Sequence, residues 1–179
     1  MHNISWSQAY PDLIDTDYKW FIPNEYTENP SQLWLDWLLD GGSLTSRLRH
    51  LSKGIFDVQV LDESWSQADS DQIKQFKLKP DERVWSRRVV LRGMGRPWVV
   101  AHTSISEKSM AGRLSSVLSL NDQPLGELLF SEPSMVRGAI YICRTQTGWG
   151  RRSTFFLYNQ PLVVAEYFLS DFINRVNAR

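Results

Sequence analysis

The chain contains a single cysteine, Cys143, in 179 residues. An internal disulfide is thereby excluded, and so is a metal cage built on several thiolates. Its three histidines, His2, His50 and His102, are scattered and lack the spacing of zinc ligands. Charge of one sign is not in excess, because Lys+Arg and Asp+Glu both number 20. That balance gives no bulk attraction to nucleic acid or to an anionic membrane surface. No apolar run approaches the ~20 residues that span a bilayer. Met1-His2-Asn3-Ile4-Ser5-Trp6 lacks the basic-then-apolar order of a secretion signal. Repeats, low-complexity tracts and internal linkers are missing too. These absences lead to the expectation of a soluble, cytoplasmic protein; a monomer is expected as well, though no absence argues for it. Its length suits one domain that buries roughly 70% of its unfolded surface.

What is present is a pattern of short helices and hairpins. Residues 1–30 are polar and aromatic without a period and are broken by Pro11, Pro23 and Pro30; they read as an extended segment ahead of a domain spanning 31–179. Ser31 is placed to cap a helix with the apolar stripe Leu33, Trp34, Trp37 and Leu38. Gly41-Gly42 ends it, and Ser43 can cap a second helix, Leu44 to Leu51. Alternation predicts a strand over 55–65, and a weak helix follows over 70–76. Arg83 to Arg92 and Pro97 to Ser106 form a hairpin around Gly93-Met94-Gly95-Arg96. A helix is expected from Ser106 or Ser109 to about Leu118, with a short one near Pro124 to Phe130. Ser134 to Gln146 reads as one strand, and a further hairpin joins a strand after Gly148-Trp149-Gly150 to Pro161–Phe168. The last ten residues read as a frayed helix. Strands that arrive in hairpins favour an α+β domain with an antiparallel sheet and helices on one side.

Two charges stand out against this pattern. Period two puts Glu166 on a face with Leu162, Val164 and Phe168, and Arg87 on a face with Trp85, Val89 and Leu91. An isolated buried carboxylate or guanidinium costs several kcal/mol, so each needs a partner. Either the two form a buried structural ion pair, or they face a closed cavity and hold opposite ends of a small anionic or hydroxylated ligand. Arg151 and Arg152 point to opposite faces of their strand, so one of them can reach such a site. The other would be solvated or stack on Trp149. Cys143 reads as a plain buried residue, Trp85 and Trp98 as core, and Arg47 and Arg49 as a solvated helix face.

Several blocks occur together in a telling order: Asp36-Trp37-Leu38-Leu39, Ser43-Leu44-Thr45, Val84-Trp85-Ser86-Arg87, Arg96-Pro97-Trp98, Pro124-Leu125-Gly126, Trp149-Gly150-Arg151-Arg152-Ser153 and Pro161 to Phe168. In these blocks the sequence resembles the chorismate lyase family, from about residue 31 to 169. The resemblance implies a six-stranded antiparallel sheet with helices over one face and helical flaps, at 41–51 and 119–130, above a buried site. It implies conversion of chorismate to 4-hydroxybenzoate and pyruvate, without a metal or organic cofactor, as the first step of ubiquinone biosynthesis. Arg87 would bind the ring carboxylate and Glu166 would meet the ring hydroxyl. Leu44, where the family often has methionine, and Leu125 would give main-chain contacts, and Arg151 or Arg152 would be a second cation for the substrate. A buried product site further implies inhibition by 4-hydroxybenzoate. The alternative is a non-catalytic sensor of aromatic acids, since the fold is similar to the effector-binding module of some transcription regulators. No DNA-binding helix-turn-helix accompanies it here.

Overall fold

The computed structural model describes residues 10, 18–25, 30–111 and 113–178, so the expectations for most of the first thirty residues lie outside the described part. Two short helices come first, α1 (Gln32–Leu38) and α2 (Leu44–Leu51). Ser43 caps α2 by accepting the Ser46 N–H at 3.3 Å. Ser31 stands at the cap of α1 without a side-chain hydrogen bond there; its carbonyl instead accepts the Leu35 N–H. Strand β1 (Phe56–Gln67) leads to α3 (Ser70–Phe76), whose start is fixed by reciprocal bonds between Asp69 and Gln72. Strands β2 (Arg83–Gly93) and β3 (Arg96–Ser106) form the first long hairpin. Its turn residues, Met94 and Gly95, both have positive φ, which suits the twist of the flanking strands.

The helix expected after Ser106 is divided. It is one turn, α4 (Glu107–Met110), followed by a 3-10 segment, Arg113–Ser119. After α5 (Leu125–Ser131) the single strand expected over 134–146 is also divided, into β4 (Val136–Arg137) and β5 (Tyr141–Arg144). Both pair with β6 (Trp149–Leu157), but in registers that differ by one residue. Ala139 and Ile140 together stand opposite the single residue Ser153, which is a bulge. The sheet therefore has seven strand segments instead of six, but still six positions across it. The order is β1-β2-β3-β7-β6-β4, with β5 on the same edge as β4. The central partner is β7 (Gln160–Phe168), joined to β6 by Tyr158 and Asn159, both at positive φ.

Most helices cover one face of this antiparallel sheet. On that face, the last helix, α6 (Ser170–Asn177), is firmly docked rather than frayed: Phe172 is 1% exposed and lies edge-on to Trp37 at 4.9 Å. Helix α3 is the exception and lies on the other face, where Gln72 donates to Ser104 and Asp71 pairs with Arg152. Tyr18 and Trp20 pack beside it on Tyr167.

The helix-covered face holds two hydrophobic clusters rather than one. One gathers Trp37, Leu48, Trp98, Phe168 and Phe172; the other gathers Trp85, Ile105, Leu114, Leu157 and Leu162. In the first, the Trp98 ring lies directly on the backbone of Gly93, where an added Cβ would fall 2.1 Å from a ring carbon. Gly93→Ala is therefore expected to destabilise the protein by about 1–3 kcal/mol through overpacking. Gly41→Ala, with nothing within 4 Å of the added carbon, should be close to neutral. Urea unfolding of the two variants beside the parent checks this, and equal midpoints would refute it.

Candidate active site

A cavity opens between the two clusters, over the middle of the sheet. Its floor is Arg87, Val89 and Leu91 of β2, Ala101 and Thr103 of β3, Val164 and Glu166 of β7, and Arg151 and Phe155 of β6. Its roof is the first turn of α2, with Leu44 and Thr45, and α5 with Leu125, Gly126, Leu129 and Phe130. The space free of atoms, mouth included, is ≈ 560 Å³, which lies in the range of small-ligand pockets. The wall is apolar except for a few groups, three of them guanidinium groups and one a carboxylate.

Sheet register fixes how these charges are spaced. Val89 lies opposite Ala101, and Ala101 opposite Glu166. Arg87 is two residues further along β2, so its backbone and that of Glu166 are roughly 12 Å apart, from strand spacing and rise. The two side chains do not pair with each other. Arg87 is 2% exposed and its Nη1 stands 3.3 Å from Glu63 Oε1. Its Nη2 donates to the carbonyls of Asn121 at 2.6 Å and Gln123 at 3.1 Å. Nη1 is buried and makes no hydrogen bond. Burial holds the Arg87 pKa below its usual value, against the opposing pull of Glu63 and Asp122. Glu63 balances the charge of this nitrogen without a well-directed hydrogen bond, so the N–H groups can still take an acceptor in the cavity.

Glu166 faces the other end. Arg151 lies directly opposite it in the β6–β7 hairpin, and its Nε donates to Glu166 Oε2 at 2.6 Å. Arg151 Nη1 donates to the carbonyls of Trp37, Leu38 and Asp40, fastening the end of α1 to the sheet. Of the adjacent pair it is therefore Arg151 that reaches the cavity. Arg152 points to the other face, pairs with Asp71 at 2.8 Å and stacks on Trp20 at 4.5 Å rather than on Trp149. Trp149 is covered by Arg144 instead.

Leu44 and Leu125 are the first residues of α2 and α5, and both border the cavity. The first N–H groups of a helix have no acceptor within it, so main-chain contact to a ligand is sterically natural at these two places. Arg47 and Arg49 are not simply solvated. Arg47 stacks on Trp37 at 3.7 Å and pairs with Asp40 at 2.8 Å, and Arg49 reaches Glu127 of α5 at 2.7 Å. Burial raises the Asp40 carboxyl, but the Gly42 N–H and the Arg47 guanidinium outweigh it and leave the pKa below the usual value.

One cavity residue has no counterpart among the sequence-based candidates. Arg137 of β4 lies opposite Phe155 and so shares the floor with Arg151. It donates from Nε to Ser153 Oγ at 3.0 Å and from Nη1 to the Asp40 carbonyl at 3.1 Å.

Other reactive side chains lie away from the cavity. Cys143 is fully buried on the opposite face, where burial pushes its thiol up to about 12. His102 is on that face too, pushed down to about 3 by burial and by the neighbouring Arg88, and so is neutral at ordinary pH. Among the described residues no group of three or more His, Cys, Asp and Glu side chains is placed to hold a metal ion, and no described helix is long and apolar enough to cross a membrane.

Comparison with known proteins agrees with this architecture. Among solved structures, PhnF from Mycobacterium smegmatis is similar over 74% of this chain and 66% of its own, with a TM-score of 0.54 and 14% identity. At that identity the likeness concerns the fold alone. Among curated sequences, the "Probable chorismate pyruvate-lyase 2" of Pseudomonas fluorescens strain Pf0-1 is 37% identical over 171 residues, covering 89% of this chain and 93% of that protein. The "Probable chorismate pyruvate-lyase" of Pseudomonas aeruginosa strain UCBPP-PA14 is 38% identical over 146 residues, covering 75% and 82%. The family model for chorismate lyase matches residues 16–178, beyond both ends of the blocks that carry the resemblance. With nearly the whole chain matched, the protein that builds this cavity belongs to the chorismate lyase family.

Proposed function

We propose that the protein is a chorismate pyruvate-lyase that converts chorismate to 4-hydroxybenzoate and pyruvate in the cytoplasm, without a cofactor, and so opens ubiquinone biosynthesis. The observation that carries this reading is the buried guanidinium of Arg87 at one end of the cavity, its Nη1 paired with Glu63 but making no hydrogen bond, with Glu166 at the other end. Arg87 takes the ring carboxylate, assisted by the main chain at Leu44 and Leu125. Glu166 accepts a hydrogen bond from the C4 hydroxyl, and Arg151 holds Glu166 in place while adding positive charge to the substrate-binding wall.

The chemistry needs little more than this. The C4–H bond breaks, its electrons form the last ring double bond, and the C3–O bond to the enolpyruvyl group breaks. The departing enolate gains a proton at its methylene carbon and becomes pyruvate. Two routes fit the site: Glu166 as the base that removes the C4 hydrogen, or direct transfer of that hydrogen to the methylene within the bound substrate. Aromatisation drives both. The protein contributes orientation of the reacting atoms and cations near the oxygen on which charge develops.

Incubation of the purified protein with chorismate tests the reading. The expected result is 4-hydroxybenzoate, followed by chromatography, and pyruvate, followed by a coupled dehydrogenase, in equal amounts and well above the uncatalysed rate. Tight binding of aromatic acids with no turnover would point to the sensor instead.

A further inference from the structure

Chorismate carries two carboxylates and 4-hydroxybenzoate only one, so a site that turns over the first must hold a group that the product lacks. Arg87 and Arg151 are poor choices for the second carboxylate. Arg87 stands at the ring-carboxylate end. Arg151 already commits Nε to Glu166 and Nη1 to three carbonyl oxygens.

Arg137 differs from both. It borders the same cavity, yet among the described residues no carboxylate lies within ion-pair distance of it, and its two hydrogen bonds go to the neutral oxygens of Ser153 and Asp40. A guanidinium has five N–H groups, which leaves three for a ligand or solvent. Its plane is backed by the Phe155 ring, 5.0 Å from the guanidinium carbon. Burial pulls its pKa down to about 10, Arg151 adds to that, and Glu166 and Asp40 oppose it. A cation kept half-buried beside another cation, without an ion pair, is costly unless a ligand anion completes it. The bulge at Ala139–Ile140 is what directs it here. Bulges re-aim side chains, and without the register change Arg137 would face the opposite side of the sheet from Ile142, which lies on the core side.

The geometry points to Arg137 as the residue that grips the enolpyruvyl carboxylate of the substrate, and hence as the residue that distinguishes chorismate from its aromatic product. This assignment rests on the lyase reading.

The test compares Arg137→Gln and Arg137→Lys with the parent protein, measuring kcat and KM for chorismate and the inhibition constant of 4-hydroxybenzoate. Loss of one charge-assisted contact should raise KM for chorismate about 10–100-fold in Arg137→Gln, with a smaller rise in Arg137→Lys. The inhibition constant of 4-hydroxybenzoate should stay within about threefold in both, because a single contact not made cannot be lost. Equal weakening of substrate and product, or no change in either, overturns the assignment. Should Arg137→Gln fail to fold, Arg137→Lys keeps the cation and its bulk, and the same split between substrate and product decides. A parent protein that makes no 4-hydroxybenzoate overturns the lyase reading itself. In that event, calorimetric binding of chorismate and 4-hydroxybenzoate to the parent and to both variants still shows whether Arg137 recognises a second carboxylate.

Discussion

Replacing Arg87 with alanine is expected to lower kcat/KM for chorismate roughly 10²–10⁴-fold, from two charge-assisted hydrogen bonds of about 1.5–3 kcal/mol each. The loss has a second source. Nη2 of Arg87 is the donor to the carbonyls of Asn121 and Gln123, so alanine also releases the segment that leads into α5. Lysine is not expected to rescue activity, because one ammonium cannot reach both those carbonyls and a ligand carboxylate in the planar fork that a guanidinium provides. Steady-state kinetics for Arg87→Ala and Arg87→Lys, with melting temperatures alongside, check this. Near-parental kcat/KM in either folded variant would remove Arg87 from the site.

Glu166 should give the second large effect, and its variants separate two roles. If the carboxylate acts as a base toward the C4 hydrogen, Glu166→Gln and Glu166→Ala should both lose about 10²–10⁴-fold in kcat. If it only accepts a hydrogen bond from the C4 hydroxyl, the glutamine oxygen should preserve much of the rate and alanine should not. Either outcome comes with a cost in stability. Arg151 has a side chain 2% exposed, and among the described residues Glu166 is the only carboxylate within ion-pair distance of it. Breaking one partner of a buried pair typically costs about 3–5 kcal/mol. Thermal unfolding of Glu166→Ala should show that loss, and the double variant Arg151→Met/Glu166→Ala should recover part of it. Unchanged turnover in Glu166→Ala would remove the carboxylate from the reaction.

Much of this architecture was legible in the residues themselves. The β2–β3 hairpin announces itself through Gly93-Met94-Gly95 between two alternating runs, and α3 was visible from Ser70 to Phe76 despite its weak pattern. The cost of burying Arg87 and Glu166 narrowed them to a structural ion pair or the two ends of a cavity, and only the structure separates these, since the two side chains do not pair with each other. The choice between Arg151 and Arg152 was within reach as well. Counting outward from a two-residue turn at Tyr158–Asn159 places Arg151 opposite Glu166 and Arg152 opposite Ala165. The missing information was the location of the turn, because neither residue is the glycine that usually marks positive φ. Arg137 was out of reach for a different reason. Alternation carries a face assignment only along an uninterrupted strand, and the extra residue at Ala139–Ile140 inverts the count between Ile142 and Arg137. The divided strand did carry a local sign, Gly138 directly before the extra residue, because an isolated glycine in a strand pattern marks a bulge or a close backbone approach.

The two covers of the cavity are fastened unequally. Helix α2 sinks Leu44, Leu48 and Leu51 into the core and is bound to α1 through Arg47. Helix α5 buries Leu129 alone, and its lead-in hangs on the two carbonyls that Arg87 holds from below. Opening the cavity on the α5 side would therefore break fewer buried contacts than opening it on the α2 side. On the lyase reading proposed above, the guanidinium that takes the ring carboxylate is also the bolt of that door, so a guest and its exit would compete for the same few ångströms of one side chain, and the dwell time of the guest would depend on Arg87.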